Sequence, residues 1–92
     1  MNQYVIQRDL PGAGTLSADQ LAAISTRSVE VLNDMRGIEW VHSYVTPERI
    51  YCVYFAENEA LVLEHAKRGG FPCTQIAQVM AIISPATAQQ PA

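Results

Sequence analysis

Positive charge is scarce in this sequence. Six Lys and Arg residues are dispersed among 92 residues, and the formal net charge is -3. A protein that follows a phosphate backbone needs a basic face. We therefore expect that the chain has no nucleic-acid partner.

Long apolar runs and cysteine clusters are also missing. No stretch approaches the roughly 20 apolar residues of a membrane span, and the first residues show no basic segment followed by an apolar run. Cys52 and Cys73 lie far apart, without the C-x-x-C spacing of a typical metal site. We expect a cytoplasmic protein with reduced thiols and no membrane partner.

One stretch, residues 38–55, is rich in aromatic and β-branched side chains and contains the single Trp and three of the four Tyr. This composition favours β-strands, and Pro47-Glu48 predicts a two-residue turn between them. The register that follows from this turn places six side chains on one face of the hairpin: Trp40, His42, Tyr44, Tyr51, Val53 and Phe55. The opposite face is also apolar, so the hairpin must be covered on both sides.

Capping signals delimit two helices. Ser17 with Gln20 predicts a capping box at the start of the first helix, and Gly37 is expected to end that helix in a left-handed conformation. Asn58 is a favourable N-cap for the second helix, and Gly69-Gly70 is expected to end it.

Strands are predicted at 4–9 and 74–84, on either side of these elements, and Arg8 and Asp9 are expected to form a local ion pair. The order β-α-β-β-α-β predicts an α+β, ferredoxin-like fold: a four-stranded antiparallel sheet with two helices on one face. We predict a ferredoxin-like domain over 1–85 and a flexible tail over 86–92. Because the second sheet face is also apolar, we expect a homodimer that forms through the sheet.

Two histidines and two tyrosines are the candidate site residues. Imidazole suits Ni(II), Zn(II) and Cu(II), so His42 and His65 are candidate metal ligands. Alternatively, His42 packs in an interface, and His65 packs its ring at the solvent edge of the second helix. Tyr44 and Tyr51 are candidates for binding a small ligand, or else pack with their hydroxyls at a rim.

Three segments of the chain are similar to one bacterial family: 40–46, 50–54 and 64–72. This family of small ferredoxin-like proteins was formerly a domain of unknown function and is called nickel-binding after one member. The similarity extends over about residues 3–88, including 8–12 and 83–88. The resemblance implies a dimeric ferredoxin-like fold and, as in one member, surface binding of Ni(II) with a role in sequestration.

These observations leave three functions open. The first is a non-enzymatic, divalent-metal (nickel) binding protein. The second is a dimeric small-molecule binder, or an enzyme of monooxygenase or isomerase type, with a pocket near His42 and Tyr44. The third is a purely structural association module. We favour a protein without enzymatic activity, because the sequence contains no catalytic motif of a known kind.

Overall fold

The protein, represented by a computed structural model, is described over residues 1–89. The strands form one antiparallel sheet in the order β2-β3-β1-β4, which confirms the ferredoxin-like α+β fold. The elements are β1 (Asn2–Asp9), a 3-10 helix (Ala13–Thr15), α1 (Ala18–Asn33), β2 (Ile38–Val45), β3 (Arg49–Ala56), α2 (Glu59–Gly69), β4 (Gln75–Val79) and a second 3-10 helix (Pro85–Gln89).

Side-chain caps fix the start of both helices as predicted. The hydroxyl of Ser17 accepts the backbone N–H of Gln20, and the Gln20 side chain accepts the backbone N–H of Ser17. The side chain of Asn58 accepts the N–H of Leu61 at 3.0 Å. Gly70 ends α2 with a left-handed φ of 69°. These caps satisfy N–H groups that have no partner inside their helix.

The predicted end of α1 was wrong. The helix stops at Asn33 rather than at Gly37, and Gly37 belongs to the turn that leads into β2. Its φ of 77° does lie in the left-handed region, and a side chain there would also collide with the carboxyl group of Glu57. The glycine is therefore required by the turn and not by the helix.

The hairpin of β2 and β3 has the predicted register only near its turn. Tyr44 pairs with Tyr51 as expected, but a β-bulge between Trp40 and His42 pairs Trp40 with Tyr54 instead of Phe55. One extra residue in a strand moves the preceding side chains to the other face. The predicted position of Trp40 beside His42 was therefore wrong, since the indole lies on the helix face of the sheet.

The last strand is shorter than predicted. It spans Gln75–Val79 rather than 74–84, because β1 begins at Asn2 and its Gln3 already pairs with Val79. Residues 80–84 thus have no neighbouring strand within the described chain. Three large apolar side chains in this segment are exposed: Met80, Ile82 and Ile83.

The division into a domain over 1–85 and a tail over 86–92 stays a prediction. Residues 85–89 form the second 3-10 helix, and positions 90–92 of the predicted tail lie outside the described residues. Within the described chain, neither helix has the length and apolar character needed to cross a bilayer.

The core lies between the sheet and α2. Ile6 and Val62 are fully buried there, and Tyr54 is nearly so. The helix α1 packs closely on α2 and less closely on the sheet. Its second half contributes Leu32 to the core, whereas its first half leaves space above the sheet. This space is the main cavity of the described residues.

Candidate functional site

A cavity of about 240 Å³ lies between the first half of α1 and the helix face of the sheet. Its walls are largely apolar. Two of its lining residues, Val45 and Pro72, are exposed, so the cavity communicates with solvent at that edge. Representative lining residues are Leu21, Ile24, Trp40, Ile50 and Phe71.

Arg8 is the charged residue of this cavity. Strand alternation places it on the same face of β1 as Tyr4 and Ile6, and it is only 5% exposed. Its Nε donates to the sulfur of Cys52 at 3.3 Å, and its Nη1 donates to the carbonyl of Pro72 at 2.6 Å. The guanidinium also lies over an aromatic ring (Phe71), 5.4 Å from the centroid.

All partners of Arg8 within residues 1–89 are neutral. The third hydrogen bond runs from Nη2 to the hydroxyl of Tyr54 at 3.4 Å. Burial by itself lowers the pKa of Arg8, but the adjacent Cys52 and Tyr54 outweigh that effect and the net pKa is raised. The side chain therefore keeps its charge at physiological pH without a carboxylate partner.

The predicted ion pair between Arg8 and Asp9 was wrong. Successive strand residues point to opposite faces, and Asp9 instead accepts a hydrogen bond from Arg49 at 2.8 Å. The Arg49 and Gln7 side chains hold the pKa of the Asp9 carboxyl below its usual value, with the Gln7 hydrogen bond as the larger cause. Asp9 thus pairs at the surface while Arg8 points inward.

His65 is fully buried behind the cavity wall. The expected position at the solvent edge of α2 was wrong, because His65 shares the inward stripe of Val62, Ala66 and Gly69. Desolvation, followed by the charge of Arg8, lowers the pKa of His65 to about 4. The imidazole is therefore neutral at physiological pH.

Both ring nitrogens of His65 have partners. Nε2 lies 3.2 Å from the hydroxyl of Ser28, and Nδ1 lies 3.4 Å from the hydroxyl of Tyr54. Because Arg8 can only donate, the Tyr54 hydroxyl accepts from Arg8, and its own proton can be donated to Nδ1. In that arrangement the ring hydrogen of His65 lies on Nε2 and is donated to Ser28. Metal binding by His65 would require one of these bonds to break.

The open face of the sheet presents the other three candidate residues. His42 is exposed, and its ring meets the ring of Tyr44 edge-on at 4.9 Å. Tyr44 is 59% exposed, and the half-buried Tyr51 lies opposite it on β3. Tyr51 also lines a shallower depression of about 160 Å³ between β3, β1 and β4.

The sheet separates the two histidines. His42 lies on its open face, whereas His65 lies on α2 behind the other face, so one protomer does not bring them together. Across residues 1–89, no group of three His, Cys, Asp or Glu side chains is arranged to hold a metal ion. Of the two histidines, only His42 presents an exposed imidazole for metal binding in one protomer.

Comparison with known proteins identifies the family. The family of nickel responsive proteins described as SCO4226-like matches residues 4–79. This chain belongs to that family. Among solved structures, this chain is similar to the crystal structure of SCO4226 from Streptomyces coelicolor A3(2). The TM-score is 0.75 and the identity is 18%, covering 88% of this chain and 99% of that chain. No curated protein matches the chain.

At this identity the structural likeness supports the fold of this chain and not its ligands. Sequence reasoning missed the inward position of Arg8 and its contact with Tyr54. The alternation Tyr4, Ile6, Arg8 on β1 was the available signal, because it places the arginine on the core face. The β-bulge that brings Trp40 to the same cavity had no comparable signal in the sequence.

Proposed function

We propose that this protein is a non-enzymatic, nickel-responsive protein that binds Ni(II) through His42 on the open face of the sheet. Membership in the nickel-responsive family over residues 4–79 is the observation that carries the proposal. His42 supports it because its imidazole is exposed and Ni(II) accepts imidazole readily. A role in sequestration of the metal is part of the proposal.

The metal site is completed by a second copy of the chain. A single imidazole with water ligands holds Ni(II) weakly, and the described part of one protomer offers no group of three His, Cys, Asp or Glu side chains arranged around a metal ion. Association of two open faces about a two-fold axis brings two His42 side chains to the same interface. Tyr44 and Val41 are 59% and 45% exposed, which supports such an apolar contact. Tyr44 and Tyr51 are then the neighbouring ligand contacts.

Calorimetric titration of untagged protein with NiCl₂ tests the metal site. We expect one Ni(II) per two chains with a Kd below about 100 μM. His42→Ala should abolish the heat of binding. His65→Gln is the matched control, because it removes the other imidazole and leaves the open face intact; it should bind as the parent does. Binding that survives His42→Ala would contradict the proposed site.

Light scattering tests the assembly separately. The chain has a mass of 10.1 kDa, so the proposed homodimer has twice that mass. Tyr44→Glu places charge in the proposed contact and should give monomers. A monomeric parent protein that still binds Ni(II) through His42 would reject the shared site while retaining the ligand.

A small-molecule binding function is the second candidate, and a specific observation favours it. The larger cavity of the described residues lies under α1, and neither His42 nor Tyr44 lines it. The pocket near His42 and Tyr44 stays a prediction, and this cavity offers a second location for a small ligand, beside Arg8 and Trp40.

A further inference from the structure

The cavity between the first half of α1 and the sheet, here called the α1 cavity, contains a positive charge, that of Arg8, with no acidic partner among residues 1–89. Arg8 is 95% buried, and the ion pairs within residues 1–89 join other residues: Asp9 with Arg49, and Glu64 with Arg68. A buried charge costs free energy unless an opposite charge or several hydrogen bonds compensate it. The present compensation consists of a thiol, a carbonyl, a phenol and the face of the Phe71 ring, all of them neutral, and the thiol is a weak acceptor.

The guanidinium retains donor capacity. It has five N–H groups, and the chain's hydrogen bonds use one on each of its three nitrogens. Each terminal nitrogen of Arg8 thus keeps one N–H without an acceptor among residues 1–89. Unused N–H groups on a guanidinium can donate charge-assisted hydrogen bonds to a carboxylate.

The cavity beside Arg8 selects the rest of the ligand. Its volume of about 240 Å³ exceeds the roughly 150 Å³ that is enough to hold benzene. Leu21, Ile24, Trp40 and Ile50 present apolar walls that favour a ring or a short alkyl chain. The ligand therefore has one apolar body and one anionic end.

The charge of the cavity argues against a more highly charged ligand. Arg8 is the one cation among its lining residues, and the other polar groups there, such as Ser25, Ser28 and Ser43, are neutral. A dianion such as a phosphate monoester would therefore bury a second negative charge that a single guanidinium does not balance.

We propose that the α1 cavity binds a small apolar monocarboxylate, an aromatic or aliphatic acid whose carboxylate pairs with Arg8. Tyr54 positions the guanidinium, because its hydroxyl accepts from Arg8 and is held in turn by His65. The site lies on the opposite face of the sheet from His42. It is therefore independent of the proposed nickel function.

Titration with 3-phenylpropionate at pH 7 tests this inference, with the fluorescence of Trp40 as the readout. Trp40 is the single Trp of the chain and lines the cavity, so its emission reports occupancy of this site. We expect a Kd of about 10–1000 μM for an acid of this size. The uncharged amide of the same acid should bind at least about tenfold more weakly.

Two variants at one position separate charge from shape. Arg8→Met keeps a long apolar side chain, and it should lower affinity for the acid at least about tenfold while leaving affinity for the amide unchanged. Arg8→Lys retains the charge without the planar fork, and we expect partial recovery of acid binding. Urea denaturation verifies that each variant is folded.

Two outcomes would overturn the inference. The first is equal binding of acid and amide to the parent protein, which needs no variant and so remains decisive if Arg8→Met does not fold. The second is the absence of any Trp40 response to 3-phenylpropionate or octanoate up to about 10 mM. His42→Ala should bind the acid normally and lose nickel, so failure of either proposal is recognisable by itself.

Discussion

The two faces of the sheet place a histidine in opposite environments. His42 on the open face is exposed and meets Tyr44, whereas His65 behind the helix face is 0% exposed and hydrogen-bonded at both nitrogens. Burial lowers the pKa of the His65 imidazole to about 4. Coverage by a helix, and not the residue type, therefore decides which histidine has a structural role and which is accessible to a ligand.

Replacing each histidine by alanine should give the largest contrast between the faces. His65→Ala removes a fully buried ring and the imidazole partner of two hydroxyls, those of Ser28 and Tyr54. We expect the free energy of unfolding to fall by about 3–4 kcal/mol. His42→Ala should change it by less than about 0.5 kcal/mol. Urea denaturation at pH 7 and one fixed protein concentration measures both, and similar losses would contradict the comparison.

The pH dependence of stability should come from the helix face. His65 has a folded pKa of about 4, below the value of about 6.5 expected in the unfolded chain. The unfolded state therefore binds more protons between these values, and stability falls as pH decreases from about 6.5 to about 4. The loss from this group is on the order of 3 kcal/mol in total.

His65→Gln isolates this contribution. Subtracting its stability from that of the parent at each pH removes the effect of carboxylates such as Glu64, whose pKa is lowered by the adjacent Arg68. The difference should flatten below about pH 4. His42→Ala should keep the parent's dependence, and a dependence abolished by that change would reverse the assignment.

Two glycines at the end of α2 should differ in how much a substitution lowers stability, and this difference should be smaller than that between the two histidines. Gly69 packs beneath the ring of Phe71, and a methyl group there would overlap it, whereas Gly70 has no atom close to its Cβ position. Gly69→Ala should lower stability by about 1–3 kcal/mol through overpacking. Gly70→Asn is the control, since asparagine tolerates the left-handed φ of 69°, and should cost much less.

Thermal unfolding of the two glycine variants measures the difference. Phe71 also stacks on His65 at 5.4 Å, so a displaced ring should disturb the buried imidazole. Equal melting temperatures for Gly69→Ala and the parent would show that the ring beneath the cavity moves without cost.

One hydrogen bond provides the smallest contrast. The indole N–H of Trp40 donates to the hydroxyl of Ser43 at 2.9 Å on the helix face. Trp40→Phe should lower the free energy of unfolding by about 1 kcal/mol. Tyr44→Phe removes an exposed hydroxyl on the open face and should change it by less than about 0.5 kcal/mol. Chemical denaturation followed by circular dichroism compares them without the indole.

Features of the fold that depend on neighbouring residues could be predicted from the sequence. The caps at Ser17 and Asn58 and the pairing of Tyr44 with Tyr51 each depend on residues close in sequence. The length of β4 depends instead on where β1 begins, and so could not be read from residues 74–84. Arg8 is an intermediate case. Strand alternation predicts which face of the sheet it lies on, but not that its hydrogen-bond partners are neutral.

The bulge at position 41 reverses which side chains of β2 face the helices. Before it, even-numbered side chains such as Ile38 and Trp40 face the helices; after it, odd-numbered ones such as Ser43 and Val45 do. Deletion of the bulge residue would move the side chains in the first half of β2 to the opposite faces of the sheet. The indole would leave the hollow under α1 for the surface that carries the exposed imidazole.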